Sequence, residues 1–281
     1  MRARRGFWQR LLRNGSARLG VGVLGIIAII AISGPLFYPR DPFALAGPPM
    51  LWPGQSAADP LGTDLLGRDL LAGLIVGARV SLIIGIASTA AAVGLGVAVG
   101  ALAGYYRGWV DDILMRVTEV FQTMPNMLLV LVLVSIFHPS LTTIVAAIAA
   151  ASWPPVARVV RAQFLSLRQR DFVQSCVTIG MSEIRIILTQ ILPHCMAPVA
   201  VLSSILVATA ILIEAALSFL GLGDPNVMSW GAIIGNARQS LQTDWYLSAI
   251  PGIAIVLTVL GVNLIGNGLS AALNPRSDSR T

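Results

Sequence analysis

Lysine is missing from this chain of 281 residues: all 19 basic side chains are arginines. A Walker-type phosphate loop and a Schiff-base mechanism both need a lysine. The chain therefore cannot hydrolyse ATP through a P-loop of its own. Histidine is nearly as scarce, with only His138 and His194, and there are two cysteines, Cys176 and Cys195. His194 adjoins Cys195, but adjacent residues on a helix point in different directions, so the cysteines read as small apolar filler and no metal site is expected. No clustered His, paired Asp or activated Ser stands at helical spacing, so no catalytic residue is assigned and the chain reads as no enzyme. Charge is also sparse: 11% of residues are charged, against about 25% in soluble proteins.

What fills the chain instead is apolar. Hydrophobic residues make up 56% and the mean hydropathy is +0.79. Uncharged stretches cover Leu19–Pro39, Val80–Tyr106, Val120–Ala157, Ile186–Ile213 and Trp245–Pro275. A bilayer crossing takes roughly 20 apolar residues. The third stretch is too long for one span and breaks at Phe137-His138-Pro139-Ser140, which predicts a tight hairpin of two short spans. The expectation is an all-α membrane protein with six transmembrane helices.

The arginines orient it. Arg2, Arg4, Arg5, Arg10, Arg13 and Arg18 precede the first span, which predicts a cytoplasmic N-terminus. Six crossings return Arg276 and Arg280 to the same side, giving a cytoplasmic C-terminus. In this topology fifteen arginines fall inside, and only Arg40, Arg68, Arg79 and Arg238 fall outside or at the outer edge. That bias accounts for the net charge of +6 through the membrane, so nucleic acid is not an expected partner. Arg4-Arg5-Gly6-Phe7 resembles a twin-arginine signal, but the following apolar stretch is long for a signal core, so a retained signal-anchor helix is expected.

Between spans one and two lies an external loop of about 40 residues, irregular from Pro39 to Pro53. Leu65, Leu66, Leu70, Leu74 and Val76 predict a short interfacial helix over Asp64–Ala78. In the second span Gly96, Gly100 and Gly104 stand four apart, a small-residue ridge that allows close helix packing in lipid. Glu119 and Gln122 sit near the inner end of the third span. Glu214 lies about two-thirds through the fifth, where an ionised side chain is costly, so it is a candidate for the solute pathway, an interface or a buried hydrogen bond. Asn263 and Asn267, one turn apart in the last span, are expected to hydrogen-bond between helices. Trp230 and Trp245 suit a water–lipid boundary.

The polar segment Arg158–Pro193, set between spans four and five, has no obvious use in a protein that only conducts solute. Phe172, Val173, Cys176 and Ile179 share one face of a short helix. Gly180 breaks it as a C-terminal cap does, and Ser182-Glu183 suits the start of a second helix. Ile184, Ile187, Leu188 and Ile191 continue the apolar pattern until Pro193 stops or kinks it. This helix–glycine–helix element reads as a surface that docks into a partner protein's groove.

The element resembles the EAA loop of ABC importer permeases: Gln174-Ser175-Cys176-Val177-Thr178-Ile179-Gly180, then Ile191-Leu192-Pro193. The wider chain resembles the C-type permease of dipeptide, oligopeptide and nickel importers. The resemblance is carried by Asp59-Pro60-Leu61-Gly62-Thr63-Asp64 with Gly67-Arg68-Asp69, by Gly77-Ala78-Arg79-Val80-Ser81-Leu82, and by Gly104-Tyr105-Tyr106-Arg107-Gly108-Trp109-Val110-Asp111-Asp112. Glu214-Ala215-Ala216-Leu217-Ser218-Phe219-Leu220-Gly221-Leu222-Gly223, Ser229-Trp230-Gly231 and Ala272-Leu273-Asn274-Pro275-Arg276 extend it.

The resemblance implies a type I ABC importer permease fold in a bacterial cytoplasmic (inner) membrane. Residues 1–78 would hold the N-terminus, first span and external loop, 79–273 the permease core with its coupling loop at 158–193, and 274–281 a cytoplasmic tail. Partners would be a second homologous permease, two ABC ATPases, an extracytoplasmic solute-binding protein and membrane lipid. No cofactor would bind this chain; ATP and Mg would sit on the ATPases. Coupling would fall to Gln174, Ser175, Cys176, Gly180 and Pro193, with Arg168 and Arg170 pairing with acids on the ATPase. Gln174 replaces the usual glutamate, and Asp171, one turn earlier, is expected to supply the charge. Asn267 and Asn274 stand where relatives often carry aspartate. The solute would be a di- or oligopeptide; alternatives are nickel or another small solute and, from a different class, a secondary transporter driven by an ion gradient.

Overall fold

The computed structural model describes residues 14–273. Expectations on Arg2, Arg4, Arg5, Arg10, Arg13, Asn274, Arg276, Arg280 and the 274–281 tail lie outside the described residues. Among the described residues nine α-helices follow in order: α1 (Gly15–Phe37), α2 (Leu70–Tyr106), α3 (Gly108–Thr123), α4 (Asn126–Phe137), α5 (Leu141–Leu167), α6 (Asp171–Thr178), α7 (Glu183–Phe219, with a π segment at Ile186–Ile191), α8 (Trp230–Asn236) and α9 (Tyr246–Leu273). Five of them, α1, α2, α5, α7 and α9, are long and apolar enough to cross a membrane, and α3 with α4 forms a bent pair that makes a sixth candidate.

The second span begins earlier than hydropathy indicates. Asp69 Oδ1 accepts from the amides of Leu71 (2.8 Å) and Ala72 (3.4 Å), and an N-cap of this kind starts a helix at once. No separate interfacial helix covers Asp64–Ala78; its second half is the first turns of α2, so the 78/79 division falls inside a helix. At 37 residues, α2 is about 55 Å long and outreaches a hydrocarbon core of roughly 30 Å.

The third span also departs from expectation. Proline disfavours the α region in the residue before it, and Met124, preceding Pro125, is extended at ψ 132°. The chain turns by 89° there, leaving α4 only 12 residues long, about 18 Å. The hairpin break itself falls where the sequence places it, between Phe137 and Leu141, with Ser140 Oγ capping α5 through the Thr143 amide (3.1 Å).

Pro193 does not stop the helix around it. Upstream, Ile186–Ile191 forms a wider π turn in which the Leu192 amide bonds to the Ile187 carbonyl. Proline has no N–H to offer, and it enters in the first turn of the regular α-helical run that follows. The helix therefore runs unbroken from Glu183 to Phe219.

The three larger buried clusters among the described residues join these helices. One, around Trp230, joins α1, α2, α7, α8 and α9; a second, around Phe164, joins α2, α5, α6 and α7; a third joins α2, α4, α5 and α7. The tightest seam is α2 against α5. A Cβ on Gly96 would stand 2.5 Å from Val156 Cβ, and one on Gly104 would stand 2.6 Å from Phe164 Cβ. A side chain on Gly100 would meet Val160 Cβ at 2.9 Å and the Ala157 carbonyl more closely still. Trp230 is not at a lipid boundary: it is 2% exposed, and its Nε1 donates to the Leu74 carbonyl (2.9 Å). Trp245 is exposed.

Candidate functional site

At the end of the bundle where α2 and α5 finish, α6 is held by its neighbours rather than standing free. Val173 is 1% exposed and, with Cys176, packs into the cluster of Tyr105, Phe164 and Ile186. This corrects the expected docking face: Val173 and Cys176 bind the chain's own core. Phe172 stacks near His194 with ring centroids 5.5 Å apart, while Ile179 projects outward at 78% exposure.

A backbone cap closes the end of α6 and a side-chain bond ties down its start. Gly180 takes φ +77°, and the amides of Gly180 and Met181 bond to Val177 O (3.0 Å) and Cys176 O (3.1 Å). This paired arrangement is a Schellman cap, which needs the left-handed residue that glycine supplies. At the start, Gln174 Nε2 donates to the Arg168 carbonyl (3.0 Å), tying the helix to the end of α5. The Arg168 guanidinium lies over the Tyr105 ring, 5.0 Å from its centroid. It is therefore engaged within the chain, whereas Arg170 is exposed.

The face of α6 left over carries Asp171, Gln174, Ser175, Thr178 and Ile179, which line an open depression. Ser175 and Thr178 turn their hydroxyls back to the Asp171 and Gln174 carbonyls (2.8 and 3.0 Å). Asp171 forms no ion pair among the described residues, so its charge faces solvent. Val177 on α6 and Ile184 and Leu188 on α7 are exposed as well. Pro193, on the first turn of the regular α7 run, is exposed.

Two polar linkages that hold α3 against α5 were not read from the sequence. Arg161 grips Asp111 with two bonds, Nε to Oδ1 (2.5 Å) and NH2 to Oδ2 (2.6 Å). Arg158 donates to Gln122 Oε1 (2.9 Å). Asp111 stands in a recognisable motif, but no local pattern names an arginine fifty positions away as its partner.

At the other end of the bundle, residues 38–69 fold back on the helix ends. Buried Asp69 accepts from Tyr38 OH (2.5 Å) and Arg40 (3.1 Å), and Arg40 also reaches buried Asp59 (2.9 Å). Burial, reinforced by the hydrogen bond to Asp69, pushes the Tyr38 phenol up to about 12. Tyr246 OH, from α9, donates to the Leu51 carbonyl (2.9 Å). The motif Asp59 to Asp69 thus packs on this chain.

Beside it, Glu214 is 2% exposed and joins α7 to α8. Its Oε1 accepts from Ser218 Oγ (2.8 Å) and Ser229 Oγ (2.6 Å), and Ser229 Oγ in turn accepts from the Ala232 amide as the N-cap of α8 (3.0 Å). Of the three roles open to Glu214, the geometry is that of a buried hydrogen bond. Asn263 and Asn267 differ from expectation: neither side chain makes a hydrogen bond among the described residues, and Asn267 is exposed. Of the predicted site residues, the structure brings Arg168, Asp171, Gln174, Ser175 and Cys176 together around α6. Glu214 belongs to the opposite end.

These features describe a multi-pass helical membrane protein that carries a small docked helix at one end. Residues 96–279 match the family model described as binding-protein-dependent transport system inner membrane component, and residues 4–59 match the N-terminal TM domain of oligopeptide transport permease C. The chain belongs to this family, the multi-pass inner-membrane permease subunits of ABC importers. It is 37% identical over 276 residues to the di/tripeptide transport system permease protein DppC of Pseudomonas aeruginosa, covering 96% of this chain and 91% of that protein. The glutathione transport system permease protein GsiD of Pectobacterium atrosepticum is 38% identical, with 98% and 92% covered. The oligopeptide transport system permease protein OppC of Haemophilus influenzae is 36% identical, with 97% and 89% covered. An inward-facing structure of the MetNI methionine ABC transporter superposes with a TM-score of 0.60 at 15% identity, covering 72% of this chain and 96% of that one. That likeness is one of fold.

Proposed function

We propose that this chain forms half of the membrane pathway of an ATP-driven importer of di- and oligopeptides. A second, homologous permease supplies the other half. A solute-binding protein delivers the peptide at the end formed by residues 38–69 and α8, which faces outward. The α6 end faces the cytoplasm, with both termini, and meets the ATPases, which carry ATP and Mg.

The observation that carries this reading is α6 itself. It is too short to be stable alone, and it is seated on the core through Val173 and Cys176. Its other face, Asp171, Gln174, Ser175, Thr178 and Ile179, is open to a partner. Seating on the core lets a push on that face reach α2, α5 and α7 as a rigid displacement. Asp171 supplies the negative charge that Gln174 lacks, and Arg170, in no ion pair among the described residues, is the cation beside it.

The test is reconstitution in proteoliposomes with the second permease, both ATPases and the binding protein. ATP-dependent accumulation of a labelled dipeptide is expected. Accumulation that continues without the ATPase subunits would overturn the importer reading, and accumulation of another solute but not of peptide would overturn the substrate.

A further inference from the structure

Beyond the docked helix, α3 and α5 enclose a cleft of about 840 Å³, in the size range of small-molecule sites. Its wall carries Asp112, Arg116, Glu119 and Gln122 from α3 and Arg158 and Arg161 from α5. Arg158 and Arg161 follow Leu141, the first residue of α5, by about 26 and 30 Å along the helix. Measured against a hydrocarbon core of roughly 30 Å, the cleft sits near the membrane boundary on the α6 side.

Ionised side chains at that depth face water or protein, because facing lipid is costly. The helix sorts itself accordingly. Trp109, Ile113, Val117 and Val120, all exposed, form a stripe roughly 90° around α3 from Asp112 and Glu119, with Arg116 on its border, and supply its apolar contact. The charged side is left for a water-filled space.

The charges in the cleft divide into two sets. Arg161 is committed to Asp111 and Arg158 leans on Gln122. Arg116, Asp112 and Glu119 form no ion pair among the described residues and are exposed. One roomy cleft thus offers an unpaired cation and two unpaired anions. A free peptide carries the complementary set, an α-carboxylate and an α-ammonium.

We infer that this cleft is a station on the solute's route near the α6 end, where Arg116 meets the peptide carboxylate and Glu119 the terminal ammonium. Arg161 and Asp111 position the wall by locking α3 to α5. This rests on the importer reading above.

The test uses the assembled complex in proteoliposomes, without ATP, and a cationic methanethiosulfonate reagent applied from the ATPase side. Ala162→Cys, with Met115→Cys as a second position on the same wall, is labelled in excess of the background from Cys176 and Cys195. A free dipeptide is expected to slow that labelling about tenfold at a concentration near ten times its Kd, and the N-acetylated, C-amidated dipeptide is expected to leave it unchanged. Adding Arg116→Gln or Glu119→Gln should raise the Kd for protection about ten- to hundredfold, as loss of a charged hydrogen bond does.

If neither cysteine reacts, a partner covers the cleft and the inference fails. If both react but no peptide protects, the cleft is only solvent. If blocked and free peptides protect equally, the charges read nothing. Labelling does not depend on ATP-driven uptake, so a complex that fails to accumulate peptide overturns the importer reading without deciding this result.

Discussion

Gly100→Ala tests whether the α2–α5 seam is as close as the backbone indicates. The added methyl group would stand 2.9 Å from Val160 Cβ and closer to the Ala157 carbonyl oxygen. A flexible side chain could move aside, but a carbonyl inside a helix cannot move alone. The two helices must part by about 1 Å, which loosens the contacts at Gly96 and Gly104 as well. Overpacking of this kind costs about 1–3 kcal/mol, partly offset by the roughly 1 kcal/mol by which alanine favours a helix over glycine.

Gly94→Ala is the control on the same helix, since nothing lies within 4 Å of its added Cβ. It keeps the propensity gain and avoids the clash. Thermal unfolding of the purified chain in detergent should place Gly100→Ala about 2–12 °C below Gly94→Ala, from the 1–3 kcal/mol of overpacking at 2–4 °C per kcal/mol for a chain of this size class. Gly94→Ala should be unchanged or raised. Equal shifts for the two variants, in either direction, would refute the close-approach reasoning.

Other outcomes follow from the polar linkages and from α6. Folding favours the protonated Tyr38 phenol, whose value is raised to about 12 from an ordinary 10.0, so its contribution is complete below about pH 10 and lost between pH 10 and 12. The stability of the native protein minus that of Tyr38→Phe should therefore fall across that window in thermal scans, and a flat difference would contradict the raised value. Glu214→Ala leaves the Ser218 and Ser229 hydroxyls without their acceptor and should cost about 2–4 kcal/mol, whereas Glu214→Gln keeps an oxygen there and should cost less than half as much in the same scans. Val173→Ala should destabilise by about 2 kcal/mol. Ile179→Ala, at a side chain 78% exposed, should leave stability within about 0.5 kcal/mol yet reduce ATP-coupled uptake in proteoliposomes; unchanged uptake would remove Ile179 from the coupling surface.

The parts of this protein legible in the sequence are those set by local chemistry. Apolar stretches long enough to span a bilayer follow from composition alone, and the hairpin at His138, the end of α6 and the start of α7 follow from Pro139, Gly180 and Ser182. Two further signals were available but outweighed by hydropathy. Pro125 forces its predecessor out of the helix and breaks the third span, and Asp69 caps α2 a full ten residues before Arg79. Hydropathy averages over a window and does not register a single residue that redirects the backbone.

Other features required the tertiary structure. Val173 and Cys176 have the same apolar character as Ile179, and only packing decides that two of them seat α6 while the third faces out. Trp230 has the composition of a lipid-boundary residue but is buried because Leu74 offers a carbonyl where α8 meets α2. Glu214 finds Ser229, Asp111 finds Arg161, and Arg40 bridges Asp59 and Asp69, across separations of 15, 50, 19 and 29 residues. By itself the sequence determined the missing lysines, the apolar lengths and the local stops, because these depend on composition and on backbone sterics over a few residues. The charge partners and the open face of α6 were decided by the fold, because a buried charge is satisfied by whichever group packing brings within about 3 Å, and no local pattern specifies that distance.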